Sequence, residues 1–188
     1  MTEATSTMEW LVAGRAVAEP ALVGRIPLDA DVDRLRQEVD ALLIRHPLIF
    51  ESTRQLAVQV RPGSTDPWYE SCYEEKDIAP EHEYNTLNPE LRGTYLAEVL
   101  ARFPFPVYRA RLLALTPRTC YSVHRDATAR YHVAITTSEH ALFIFVEQDR
   151  VIRVPADGHA YFVDTREVHT AMNGGRDLRI HLVVAAGP

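Results

Sequence analysis

Lysine is nearly absent from this chain. Of its 20 basic residues only Lys76 is a lysine, and acidic residues outnumber them at 26, for a formal net charge of −6. Such a chain has no overall positive field with which to hold a polyphosphate backbone, which excludes nucleic acid as its main partner. Cysteine is scarce too. Cys72 and Cys120 allow at most one disulfide and match no zinc or redox spacing, so two reduced thiols in a cytoplasmic protein are expected. Long apolar runs are missing as well. The stretch from Leu11 to Leu28 is interrupted by Arg15, Glu19, Pro20 and Arg25 and makes no signal-peptide core. No run reaches the roughly 18 apolar residues of a membrane helix, so no membrane partner is expected.

What is present is the composition of a folded protein: 188 residues, 46% hydrophobic and 24% charged. One domain over 1–188 is expected, with a core large enough for a dry pocket. Residues 1–9 read as a disordered leader, and Val17–Leu28 as a strand or pair of strands. Asp31 caps a helix running to about His46, with Val32, Leu35, Val39, Leu42 and Leu43 at helical spacing. Leu56–Val60 alternates like a strand. The Pro-, Glu- and Tyr-rich segment 62–92 reads as a long connection with one short helix, of the length that lines a pocket or forms a lid. Gly93–Phe103 reads as a second helix, ended by Pro104 and Pro106.

From Val107 the texture changes. Short apolar runs follow one another: VYRARLLAL, TCYSVH, RYHVAIT, ALFIFV, VIRVP, HAYFVD and LRIHLVV, most of them separated by turn residues. Many short strands at close spacing indicate an antiparallel sandwich or barrel. The expected fold is mainly β (α+β): an eight-stranded jelly roll, or double-stranded β-helix of the cupin kind, with its core in 107–184 and the N-terminal helices on one sheet.

Within this region His124 and Asp126 lie two apart, so on an extended backbone both side chains aim at one point. A second histidine can reach that point only from another strand, and His169, just before the turn-like Asn173-Gly174-Gly175, is a candidate. Two imidazoles and one carboxylate on a face make the three-ligand set of non-haem Fe(II) oxygenases, which leaves positions open for a chelating co-substrate and dioxygen. His-x-Asp alone is a weak pattern, and a loop histidine beside a surface aspartate explains it equally well. His124-Arg125-Asp126 also spells a kinase catalytic-loop triplet, but the asparagine required five residues on is Tyr131 here.

The surrounding basic residues add weight. Arg130 and His132 form one Arg-x-His pair, and Arg179 and His181 another, inside otherwise aliphatic strands. A cation in such a strand needs an anionic partner. For Arg179 this is either an internal salt bridge, for instance to Asp164, or a ligand carboxylate held in a bidentate fork.

Pro117, His124-x-Asp126, Arg130-x-His132, His169 and Arg179-x-His181, in this order and spacing, resemble the aspartyl/asparaginyl β-hydroxylase family, which includes bacterial cis-type proline hydroxylases. The resemblance covers about residues 107–184. It implies a double-stranded β-helix that uses Fe(II), dioxygen and 2-oxoglutarate to hydroxylate an unactivated carbon of an amino acid, free or within a peptide. It implies His124, Asp126 and His169 as metal ligands, Arg179 on the distal carboxylate of 2-oxoglutarate, and Arg130 and His132 near its chelating end or the substrate. Two departures stand out. A serine that helps hold 2-oxoglutarate in the animal enzymes falls at Leu113, leaving Arg109 or Arg111 as substitute donors. The usual Pro-Gly turn is Pro117-Arg118, with Arg118 either facing solvent or reaching substrate. Two other classes stay open: a non-oxidative metal-binding cupin (isomerase or sensor) and a catalytically inactive binding module.

Overall fold

Asp31 starts the first helix. Its carboxylate accepts from the backbone N–H groups of Asp33 and Arg34, satisfying two of the donors that a helix start leaves open. Helix α1 spans Val32–Arg45 and buries Leu35, Val39 and Leu42. Helix α2, Tyr95–Ala101, is shorter than the sequence suggests because Thr94 caps it. Glu38 of α1 reaches across to accept from the N–H groups of Tyr95 and Leu96 at 2.6 and 2.7 Å, locking the two helices together. The computed structural model describes residues 22–48, 54–72 and 79–185. The expected leader 1–9 and the first part of Val17–Leu28 lie outside them.

The strands are β1 (Val23–Ile26), β2 (Arg54–Ala57), β3 (Gln59–Val60), β4 (Thr86–Leu87), β5 (Tyr108–Leu115), β6 (Thr119–Cys120), β7 (Arg130–Thr136), β8 (Ala141–Phe145), β9 (Arg150–Ile152), β10 (Ala160–Val163), β11 (His169–Asn173) and β12 (Arg179–Ala185). Six form a large antiparallel sheet in the order β1-β10-β7-β12-β5-β2, four form a smaller sheet in the order β6-β11-β8-β9, and β3 and β4 make a ribbon. The two main sheets face each other, with Ala134 and Val163 of the large one packed against Phe143, Phe145 and Ala171 of the small one. This is the expected double-stranded β-helix, with strands beyond the eight of a minimal jelly roll.

Strand alternation sorts the large sheet into two unlike faces. Ala110, Leu112 and Ala114 of β5, Val133 and Ile135 of β7, and Ile180, Leu182 and Val184 of β12 pack under α1 and α2. Both helices therefore cover this sheet, as expected. The alternate residues are Arg109 and Arg111 of β5, Arg130 and His132 of β7, and Arg179 and His181 of β12. All six are buried. One sheet thus carries an aliphatic outer face beneath the helices and a polar, largely cationic inner face.

Three local features differ from the sequence expectation. Leu56–Val60 breaks at Val58, whose N–H bonds to the Ala110 carbonyl, so β2 joins the large sheet while β3 pairs with β4. Among its described residues the 62–92 segment carries 3-10 turns at Glu70–Cys72, Glu81–Glu83 and Pro89–Leu91, besides β4. Its polar composition hides them because it is fastened by particular side chains and not by a periodic apolar face. Finally, the His-x-Asp pair is not on a regular strand. β6 ends at Cys120, and His124 is held by an isolated bridge to His169. Among the described residues no helix is long and apolar enough to cross a membrane.

Candidate metal and co-substrate site

The bridge between His124 and His169 brings two histidines from distant parts of the chain side by side. Their backbones exchange hydrogen bonds at 3.0 Å in both directions, and their rings lie 4.5 Å apart. Asp126 is turned to the same spot because its N–H donates to the Thr165 carbonyl at 2.8 Å. One ligand atom from each of His124, Asp126 and His169 falls within 4.8 Å of the others.

Both imidazoles are oriented by the same device. Nδ1 of His124 meets the carbonyl of Ser122 at 2.7 Å, and Nδ1 of His169 meets that of Glu167 at 2.9 Å. A carbonyl only accepts, so each Nδ1 carries the proton and each Nε2 presents its lone pair. Burial, with His124 adding to it, holds the His169 imidazole below its usual range and so keeps it neutral, as a ligand must be. The donor set and its orientation fit a divalent transition metal.

Deeper in, the inner face is polar and under-satisfied. Arg179 is only 4% exposed. The salt bridge weighed for it does not form, because Asp164 takes the Arg166 guanidinium at 2.7 and 2.8 Å. Arg179 instead lies 5.1 Å over the Phe143 ring and 3.1 Å from Nδ1 of His181, with no carboxylate partner among the described residues. Burial pushes its guanidinium down to about 10. Both ring nitrogens of His132, Nε2 of His181 and the Tyr121 hydroxyl are buried without a hydrogen-bond partner among the described residues. Each such atom costs about 1–3 kcal/mol unless a ligand meets it. A dicarboxylate that accepts hydrogen bonds and carries negative charge fits this surface.

Arg130 is placed differently. It forms a bidentate pair with Glu81, with two contacts of 2.8 Å, and also donates to the Thr128 hydroxyl. Its Nε lies 3.6 Å from Asp126. Glu81 binds Arg109 at 3.1 Å as well and accepts from Thr128. Burial raises the Glu81 carboxyl, but Arg130, Thr128 and Arg109 together outweigh that and hold it below its usual range. Arg130 and Arg109 therefore already share one carboxylate, and Arg130 buttresses the metal-facing carboxylate. The sequence gives no sign of Glu81, which lies 45 residues before Asp126 in the connection.

Other candidates fall elsewhere. Leu113 has no donor to offer. Tyr121 carries one of the buried hydroxyls without a partner among the described residues, and it acts electrostatically with Arg179, Arg111 and Asp126. Arg118 sits exposed in the β5–β6 turn at φ 57°. His159 faces Asp29 at 3.8 Å, and His140 is exposed beside Glu139. The 62–92 segment lines a polar concavity of about 520 Å³ with Ser64, Thr65, Glu70, Glu83 and Asn85, and no triad residue borders it.

A sequence model of the aspartyl/asparaginyl β-hydroxylase family matches residues 29–186. The chain belongs to this family. It is an iron- and 2-oxoglutarate-dependent oxygenase. No curated protein matches it in sequence. Among solved structures, HygX from Streptomyces hygroscopicus, with nickel and 2-oxoglutarate bound, is similar at 12% identity and a TM-score of 0.54, over 89% of this chain and 82% of that one. A truncated form of the viral collagen prolyl hydroxylase vCPH from Paramecium Bursaria Chlorella virus-1 is similar at 13% identity and a TM-score of 0.50, over 95% and 98%. At such identities the likeness speaks for the double-stranded β-helix alone. The family match and the unpaired cationic inner face carry the rest.

Proposed function

We propose that this family member hydroxylates an unactivated carbon of an amino acid, free or within a peptide, with Fe(II) held by His124, Asp126 and His169 and 2-oxoglutarate held by Arg179. When bound, the metal and co-substrate supply, with dioxygen, the oxidising power that turns C–H into C–OH while 2-oxoglutarate becomes succinate and carbon dioxide. The protein's share is placement. Ser122 and Glu167 carbonyls aim the two imidazoles, and Arg130 steadies Asp126 from its far oxygen. Arg179, backed by the N–H of His181 and by the Tyr121 hydroxyl, receives the distal carboxylate. His132 offers one donor and one acceptor nitrogen to the chelating end.

The observation that carries this reading is Arg179, a buried cation without an anion among the described residues, on the face that looks toward the three ligands. A non-oxidative metal site would leave it uncompensated. Free Cys72 and Cys120 support a reducing cytoplasmic setting. One oxygenase domain is supported by the continuous packing of helices on the large sheet and of that sheet on the small one. The test is anaerobic titration with Fe(II) and then 2-oxoglutarate, followed by the weak visible charge-transfer band of the chelate. Iron-loaded protein that develops no band would overturn the reading.

A further inference from the structure

The large sheet's register arranges the inner face in rows. Arg111 of β5 stands opposite Val183 of β12, which stands opposite His132 of β7, and on its other side Arg111 faces Ala57 of β2. Arg179 belongs to a different row, opposite Leu115, four residues and about 13 Å further along β5. The two arginines share His132 and Tyr121 as electrostatic neighbours, but Arg111 alone lies beside Gln55, at 2.7 Å.

Once the proposed function has been assigned its residues, the inner face still holds a cation with no anion bonded to it among the described residues. Arg109 and Arg130 share Glu81. Arg179 has the co-substrate. Arg111, 6% exposed, has one neutral partner, the side-chain oxygen of Gln55 at 2.7 Å from Nη1. Its Nε has none. With Nη1 occupied, the Nε–Nη2 edge remains, two parallel N–H donors in the spacing that a carboxylate accepts as a pair. The neighbours of Arg111 in its row are Ala57 and Val183, neither of which has a side-chain acceptor to offer it. An unpaired buried cation is costly to keep, and a salt-bridged structural arginine would not show this free edge.

We propose that Arg111, oriented by Gln55, is the anchor for a carboxylate of the primary substrate, distinct from the arginine that holds 2-oxoglutarate. This rests on the hydroxylase reading above and narrows its substrate class to molecules that present a carboxylate within reach of the iron. That carboxylate is either the α-carboxylate of a free amino acid or an acidic side chain in a peptide.

The experiment is calorimetry on anaerobic protein loaded with Fe(II) and 2-oxoglutarate. The titrants are the free L-amino acids, their amides, and N-acetylated amides of aspartate, glutamate, asparagine and glutamine. Binding of 2-oxoglutarate to the wild type is measured first and tests the earlier reading separately. At least one acid should bind the wild type at least 30-fold more tightly than its amide counterpart. In Arg111→Gln that preference should vanish, with 2-oxoglutarate affinity unchanged. Arg111→Lys, which keeps the charge without the fork, should restore part of it. Preference for a free acid assigns the α-carboxylate, and preference for acetylated aspartate or glutamate assigns the side chain. The ligand-free Arg111→Gln protein should melt no lower than wild type, whereas removal of a structural arginine lowers the midpoint. Undiminished acid binding in Arg111→Gln, loss of 2-oxoglutarate affinity in that variant, or a wild type that binds none of the acids would each overturn the assignment.

Discussion

Arg179 and His181 meet in the interior at 3.1 Å, guanidinium Nη2 against imidazole Nδ1. A guanidinium only donates, so Nδ1 accepts and the proton of the neutral ring sits on Nε2. Burial, then Arg179 and His132, hold this imidazole far below its usual range, which keeps it neutral. Nε2–H is then a second donor beside the arginine, and it has no partner of its own among the described residues. Two residues apart on β12, the pair makes one anion-receiving surface.

Arg179→Met should therefore separate function from stability. Loss of a charged partner is worth 2–5 kcal/mol, so 2-oxoglutarate affinity should fall by about 100-fold while Fe(II) affinity stays near wild type. Without ligand the variant should gain about 1–3 kcal/mol, since it no longer buries an unpaired charge. Calorimetry and urea unfolding read the two effects. Wild-type co-substrate affinity in this variant would remove Arg179 from the site.

Tyr121→Phe should weaken 2-oxoglutarate about five- to tenfold, the value of one hydrogen bond of about 1 kcal/mol. The ligand-free protein should be no less stable, because the hydroxyl has no partner to lose. Unchanged co-substrate affinity would exclude the hydroxyl as the donor that stands in for the missing serine.

Glu81→Gln strips two buried guanidinia of their carboxylate. Removing one partner of a buried ion pair costs about 3–5 kcal/mol, and urea unfolding should show a loss toward the lower figure because Glu81 is partly accessible. Arg130, now 3.6 Å from Asp126, would then pair with that carboxylate and compete with the metal. Fe(II) affinity should drop about tenfold in the folded variant. Retention of both properties would mean that Glu81 does not hold Arg130 in place.

The ligand-free protein should lose stability steeply on mild acidification. His132 is held well below the usual imidazole range by burial and then by Arg179, Arg130, His169 and Arg111, and His181 is depressed likewise. Below the unfolded value near 6.5 the unfolded chain binds protons that the folded chain refuses, so stability falls as pH falls. Each such histidine contributes about 1.4 kcal/mol per pH unit, or about 3 kcal/mol for the two. Denaturation midpoints should be nearly level from pH 8 to 7 and drop between 6.5 and 5. A level profile through that window would show that these imidazoles are free to protonate in the folded state.

Arg118→Gly should stabilise the chain. At φ 57° a side-chain-bearing residue pays about 1–2 kcal/mol that glycine does not, and the greater freedom of glycine in the unfolded chain takes back about 0.4–1 kcal/mol. A rise of about 0.5–1 kcal/mol in chemical denaturation is expected, with 2-oxoglutarate affinity unchanged. A fall would assign the exposed arginine a contact of its own.

Much was legible before any coordinates. Apolar positions at helical spacing after Asp31 mark α1, because a helix must bury one stripe. RYHVAIT marks β7 to the residue, because alternation places Arg130 and His132 on one side. Glu81 was not legible, since a glutamate in a polar connection looks the same whether it is solvated or clamped between two arginines. The role of Arg130 followed from that, and Arg111 and Tyr121 became informative only when their neighbours were known.

The sequence by itself determined a β-rich chain with helices before it, a strand pattern with cations on one face, and the residue types of the triad. Choosing His169 among eight histidines needed the ordered motif as a whole. Only the tertiary structure decided which cations are neutralised and which are not. Local spacing says which way a side chain points, but whether a buried charge meets an opposite one depends on groups brought from far along the chain. Arg130 meets Glu81 there, and Arg179 and Arg111 meet no anion among the described residues.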